Sequence, residues 1–278
     1  MMYGAGDVEL PLIESAEIIE SFLKVKLKEL VNVAQRNAET RSRQYFDVCD
    51  LLFSIRRNEE LLRCVVYGWH MKDVMTKLNS DPMDIKENQK NSQKRINICR
   101  SMLHFMNRDC LEEIVRQERN SVVRRDRLMR IAYMTLSMTA AEYERFTAAR
   151  QVSFLQPFAT CKQLQDFVVG EDPFFQVVDI SVMSCEVLAI IAHEIVLTIM
   201  DYALGAREKS ALFLDANCLP YVSQKPKIRS KLILYPHQLL FENTSETMTD
   251  DSARTCAITP FEVRESVRLI MQNRQFSF

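Results

Sequence analysis

The sequence predicts an all-α fold made of two similarly organised helical blocks, and three observations lead there. Glycine is scarce, 5 of 278 residues, so the positive-φ turns and phosphate-cradling loops of parallel α/β enzymes have few places to form. Apolar residues recur at steps of three and four over long stretches, which is the period of one helix face. Each half of the chain also holds one long stretch of this kind, apolar on several sides, and then a short helix with a marked start.

The chain is long enough for one or two domains with real cores. Its 47% hydrophobic and 26% charged residues are ordinary for a globular protein. With 36 basic against 37 acidic side chains the net charge is -1, so nothing pulls it globally toward nucleic acid or an acidic membrane. Eight scattered cysteines without a CxxC pair read as small apolar residues in a reducing compartment. The acidic first residues, Met1 to Pro11, lack the apolar run of a secretory signal.

From Leu12 to Ala38 the row Leu12, Ala16, Ile19, Leu23, Leu27, Leu30, Ala34 and Ala38 marks a helix of about seven turns. A second row, Ile18, Phe22, Val25 and Val33, widens the stripe and places this helix between partners. Tyr45-Phe46 offers a short extended segment. Asp47 is placed to cap a short helix with Val48, Leu51, Leu52 and Ile55 inward, and Glu59 to Leu78 forms the next.

The polar stretch Asn79 to Lys94 reads as a linker. Helical spacing resumes at Ile96, Cys99 and Leu103. The mixed charges from Glu112 to Arg130 read as a solvated helix face, with a phosphate-contacting strip as the sharper alternative. Thr139 and Glu142 have capping-box spacing and open a helix through Phe146.

A short helix at Cys161 to Val168 precedes the longest one, about Val182 to Lys209, which is apolar almost all round and so belongs at the centre of a core. His193, Glu194 and Asp201 within it argue against a membrane span. Residues 210–254 carry three prolines and an acidic tip and read as an inserted loop. Thr259-Pro260-Phe261-Glu262 then starts a short last helix, burying Val263, Val267 and Ile270. Short-long-short helices describe the histone fold, whose long helix needs a second copy to bury it; two copies in one chain would pair internally.

No residue pattern points to catalysis. A P-loop or dinucleotide-binding turn is absent from the sequence, and His193-Glu194 begins the zinc-protease pattern HExxH, but Leu197 stands where the second histidine is required. No metal or cofactor is therefore expected, and no enzyme activity. Glu194 stands out for another reason. A carboxylate on so apolar a helix must be paired within the fold or face solvent or a partner, and Asp201, two turns on, shares its face.

Met138-Thr139-x-x-Glu142-Tyr143-x-x-Phe146-x-x-x-Arg150-Gln151-x-Ser153-Phe154 resembles the junction before the second histone fold of the Suppressor-of-Ty-three family, the double-histone-fold subunit of the transcription coactivator complex SAGA. Asp50-Leu51-Leu52-Phe53 with Ile55-Arg56 is similar to the last helix of that family's first fold, and Trp69 to Asp73 to its next helix. In the second fold the likeness runs through Glu186 to Leu204, then Ile258-x-Pro260 and Val263-Arg264-Glu265-x-x-Arg268. The resemblance spans nearly the whole chain and is most specific at Arg150, Gln151, Ser153 and Phe154. The chain also resembles the TFIID pair of TATA-binding-protein-associated factors that supply the two folds separately.

The resemblance implies a first histone fold in residues 1–78 with its opening helix largely missing, a helical linker in 79–138, and a junction helix with the second fold in 139–278, interrupted by the 210–254 insertion. It implies a non-enzymatic nuclear coactivator subunit that pairs internally, sits among other SAGA histone-fold subunits and engages TATA-binding protein through Glu194. Direct DNA contact is not expected at this net charge; a nucleosome-like DNA-binding protein is the alternative.

Overall fold

The computed structural model describes residues 1–79, 85–108, 110–136, 138–152, 161–169, 180–218, 257–276 and 278, and among these it contains helices and no strand. The helices are α1 (Met2–Ala5), α2 (Ile13–Thr40), α3 (Val48–Ser54), α4 (Glu59–Asn79), α5 (Ile85–Phe105), α6 (Leu111–Arg119), α7 (Val122–Thr135), α8 (Ala140–Gln151), α9 (Cys161–Val169), α10 (Val182–Cys218) and α11 (Pro260–Gln272).

Starts are set by local chemistry. Asp47, Thr139 and Thr259 each close a capping box, with Asp50, Glu142 and Glu262 returning a carboxylate to the cap amide. At α11, Pro260 adds a preset φ in the first turn. Gly6 ends α1 at φ 119°, a left-handed value that a residue with a Cβ resists.

Both long helices are buried as their stripes require. In α2, Leu27, Leu30, Ala34 and Ala38 are fully covered and Leu23 nearly so; in α10, Val187, Leu188, Ile191, Ile195 and Ile199 are fully covered. By length and composition Val182–Arg207 is apolar enough to cross a membrane, but most of it is buried inside the fold, which accounts for that composition.

The two blocks share helices reciprocally. Helix α2 packs on its own α3 and α10 on its own α11, while α2 and α10 also pack on each other. In addition α3 and α1 reach α10, and α11 and α9 reach α2. Polar links tie the same seam: Ser15 Oγ donates to the carbonyl of Ile258 at 2.7 Å, the Ile258 amide donates to Asp7 Oδ1 at 2.9 Å, and Asn58 donates to the carbonyl of Gln275. Helix α4 also lies on α10, closely enough at Gly68 that an added Cβ would come within 2.9 Å of Ile190 Cδ1.

Several expectations change. The buried face of α2 begins at Ser15 rather than at Leu12 or Ala16, and Val25 is exposed, so the second apolar row is only partly covered. The expected linker at 79–94 is helical from Ile85, as the first turns of α5, whose second half buries Cys99 and Leu103 and which is also anchored by ions. Arg95 of α5 reaches Asp73 of α4 at 2.7 Å and Glu186 of α10 at 2.8 Å, and Lys72 adds a second cation to Glu186 at 2.7 Å. Helix α10 continues to Cys218, nine residues into the stretch read as a loop, and 219–254 lies outside the described residues. The Tyr45-Phe46 stretch forms no strand; Phe46 is simply buried.

Candidate functional site

Glu194 and Asp201 project from one face of α10, two turns apart, as their spacing dictates. They do not form a solvated stripe. Helix α7 lies over them and brings up Arg124, Arg127 and Arg130, three residues apart and so on one ridge. Arg127 grips Glu194 in a fork, donating from Nη2 to Oε1 at 2.8 Å and from Nη1 to Oε2 at 3.1 Å, and its Nε donates to Asp201 at 2.6 Å. Arg130 donates to the other oxygen of Asp201. Arg124 places its guanidinium carbon 4.3 Å from the centroid of the Tyr67 ring on α4.

These groups are mostly shielded from water. The side chains of Arg127, Glu194, Asp201 and Arg130 are 15%, 19%, 22% and 26% exposed, enough burial for the ion pairs to matter and enough water for exchange with another partner. Burial opposes the charge on Arg127, yet the Glu194 and Asp201 carboxylates outweigh it and raise its pKa above the usual arginine value. His193 is held neutral over a wider range: burial lowers its pKa first, and the Arg127 cation lowers it further.

A third carboxyl, Glu118 at the end of α6, sits at the edge of the site. Burial pushes its pKa up and the nearby Glu194 charge adds to that, and the Cys64 thiol donates to it across 3.8 Å. The Cys64 thiol is itself driven well above its ordinary pKa by burial and then by Glu194 and Glu118, so it stays protonated and poorly nucleophilic. Among the described residues no group of three or more His, Cys, Asp or Glu side chains could hold a metal ion. The arrangement is one of charge recognition: two carboxylates presented in register and met by guanidinium groups.

The structure thus gives Glu194 the first of its open alternatives, a pair within the fold. The mixed charges between Glu112 and Arg130 are not one solvated face but two helices, α6 and α7, and the arginine ridge of α7 is part of the site. A signal for it was present in the sequence, since arginines at i, i+3 and i+6 complement acids at i and i+7. Nothing local says that the two strips meet across roughly seventy residues.

Of the junction motif, Arg150 and Gln151 end α8 with exposed side chains, the Arg150 backbone lying against Gly4 of α1, while Ser153 and Phe154 lie outside the described residues. Helix α8 is anchored instead by fully buried Phe146, whose ring meets Tyr3 of α1 edge-on at 5.2 Å.

No curated protein and no solved structure matches the chain. Residues 1–84, which span α1 to α4, match the family described as Transcription initiation factor IID, 18kD subunit, and this supports a histone-fold subunit of a transcription factor.

Proposed function

We propose that the chain is a non-enzymatic transcription coactivator subunit of a SAGA-type complex, working in the nucleus as a double histone fold that engages TATA-binding protein and helps deliver it to promoters. One observation carries the reading. The block that matches the transcription-initiation family packs reciprocally with a second block of the same plan, long helix on long helix and each short helix on the other block's long one. Such an exchange is what an internally paired histone fold needs, and a single histone-fold block would leave its long helix uncovered.

TATA-binding protein is expected to meet α10 at Glu194, and other histone-fold subunits of the complex to cover the remaining surface. The test is affinity purification of the tagged full chain with identification of its companions. SAGA subunits and TATA-binding protein among them support the proposal; TFIID subunits in their place redirect it; salt-sensitive binding of bare duplex DNA without either favours the nucleosome-like alternative. At the residue level, Glu194→Lys should weaken TATA-binding protein capture while the variant still joins its complex, because reversing one charge of a close pair replaces attraction by repulsion. Unaltered capture removes Glu194 from the contact.

A further inference from the structure

Helix α7 is attached unlike its neighbours. Helix α6 buries Ile114 and Val115, α5 buries Cys99 and Leu103, and α8 buries Phe146, whereas α7 buries no residue over its fourteen. Its inward face is the ridge Arg124, Arg127 and Arg130, and its apolar Val122, Val123 and Leu128 stay exposed to about half their full area. An element held by apolar burial leaves only when the core opens. One held by guanidinium groups on carboxylates that keep about a fifth of their area exposed can leave by exchanging those groups for others, at little cost to the core.

We propose that α7 is an electrostatic latch: Arg127 and Arg130 occupy the acidic face of α10 that a basic protein surface takes, so the partner binds by displacing α7. The inference rests on the reading that Glu194 is a partner contact, and it adds regulation to that site. The geometry of the occupant defines the competitor. Glu194 accepts a two-pronged guanidinium and Asp201 accepts two donors side by side, so the incoming surface must present arginines, or lysines at comparable spacing, to match what it removes. Anything that stabilises the latched state lowers the apparent affinity in proportion to the unlatched fraction.

The test uses the full chain with TATA-binding protein as the probe and hydrogen exchange on residues 122–135 as a separate readout of the latch. Wild type should protect α7 at low salt and measurably less at about 1 M salt, where partly buried contact pairs are weakened but not abolished, while the protection of the Val187–Ile199 stretch stays unchanged. Arg127→Gln/Arg130→Gln should lose α7 protection at low salt and bind TATA-binding protein about tenfold more tightly. Arg124→Gln, which leaves both carboxylates paired, should move both readouts the same way by less, and it stands in if the double variant does not fold. Equal α7 protection in the variants, or binding no tighter than wild type while Glu194→Lys abolishes it, overturns the latch alone. Binding that Glu194→Lys leaves unchanged overturns the reading beneath it.

Discussion

Arg95 ties three helices together, and replacing it tests how much of the attachment of α5 rests on ions beside its buried Cys99 and Leu103. Its side chain is 10% exposed and those of its partners Asp73 and Glu186 are 7% and 5% exposed, so neither acid can fall back on water. In Arg95→Met the stem is kept and the charge is lost. Glu186 retains Lys72, but that side chain is 46% exposed and is the weaker of its two cations. Removing one partner from a buried ion group costs about 3–5 kcal/mol. For a domain of this size each kcal/mol lowers Tm by roughly 2–4 °C, so the variant should melt about 6–20 °C below wild type.

The triple variant Arg95→Met/Asp73→Asn/Glu186→Gln removes the stranded charges as well, and it should recover part of that loss. Thermal unfolding followed by circular dichroism at neutral pH measures both. The pH dependence carries a sign. Burial tends to raise the Glu186 pKa, but hydrogen bonds from Arg95 and Lys72 prevail and hold it below the ordinary carboxylate value. A lowered folded pKa contributes stability above the unfolded value of about 4.3, and that contribution is lost as pH falls through the folded one. The gap between wild type and Arg95→Met should therefore narrow below about pH 4. A fall in Tm under about 2 °C at neutral pH would refute the assignment of α5 anchoring to this cluster.

Three further outcomes are expected. Leu23→Asp and Ile191→Asp each strand a charge in the middle of a buried long helix, at 2% and 0% exposure, and should cost about 4–5 kcal/mol or more out of a total near 5–15; a soluble variant with an unchanged Tm would contradict the packing. Glu118→Gln should stabilise the fold at pH 7–8: its carboxyl pKa is raised by burial and by Glu194, so stability is full in acid and declines as pH rises through the folded value. The advantage of the glutamine should vanish near pH 4, and a constant Tm difference across pH would count against it. Gly68→Val pushes α4 off α10 at Ile190 and should lower Tm by several degrees, measurably more than Gly205→Val, where an added Cβ meets nothing within 4 Å.

The helices that could be read from the residues alone were those whose burial is apolar and whose ends are capped. Leu23 through Ala38 marked α2, Val187 through Ile199 marked α10, and Asp47, Thr139 and Thr259 announced their starts because capping is a local bargain between residues three apart. What escaped was what ions hold. Helix α5 was legible from Ile96 onward, but its first turns, Ile85 followed by Lys, Glu, Asn and Gln, show no stripe and read as a linker, and the tie from Arg95 to Asp73 and Glu186 carries no local signal. The same holds for the site: Glu194 and Asp201 stood out as carboxylates on an apolar helix and the arginines of α7 recur every third residue, but nothing local pairs the two strips, which meet only once the helices are set side by side.

The reciprocal seam has a consequence for how the chain comes to be folded. Ser15 hydrogen-bonds Ile258 across 243 positions, and α11 supplies part of the cover of α2, so the first block leaves the ribosome long before its cover exists. At ~5–20 residues per second, the stretch from the end of α4 to α11 takes on the order of 10–40 s to synthesise. For that interval Leu23, Leu27, Leu30 and Ala34 have no permanent neighbour on the side that α11 and α10 later cover. Nascent chains should therefore be bound by chaperones while α2 waits, and truncation before Pro260 should turn a transient client into a permanent one.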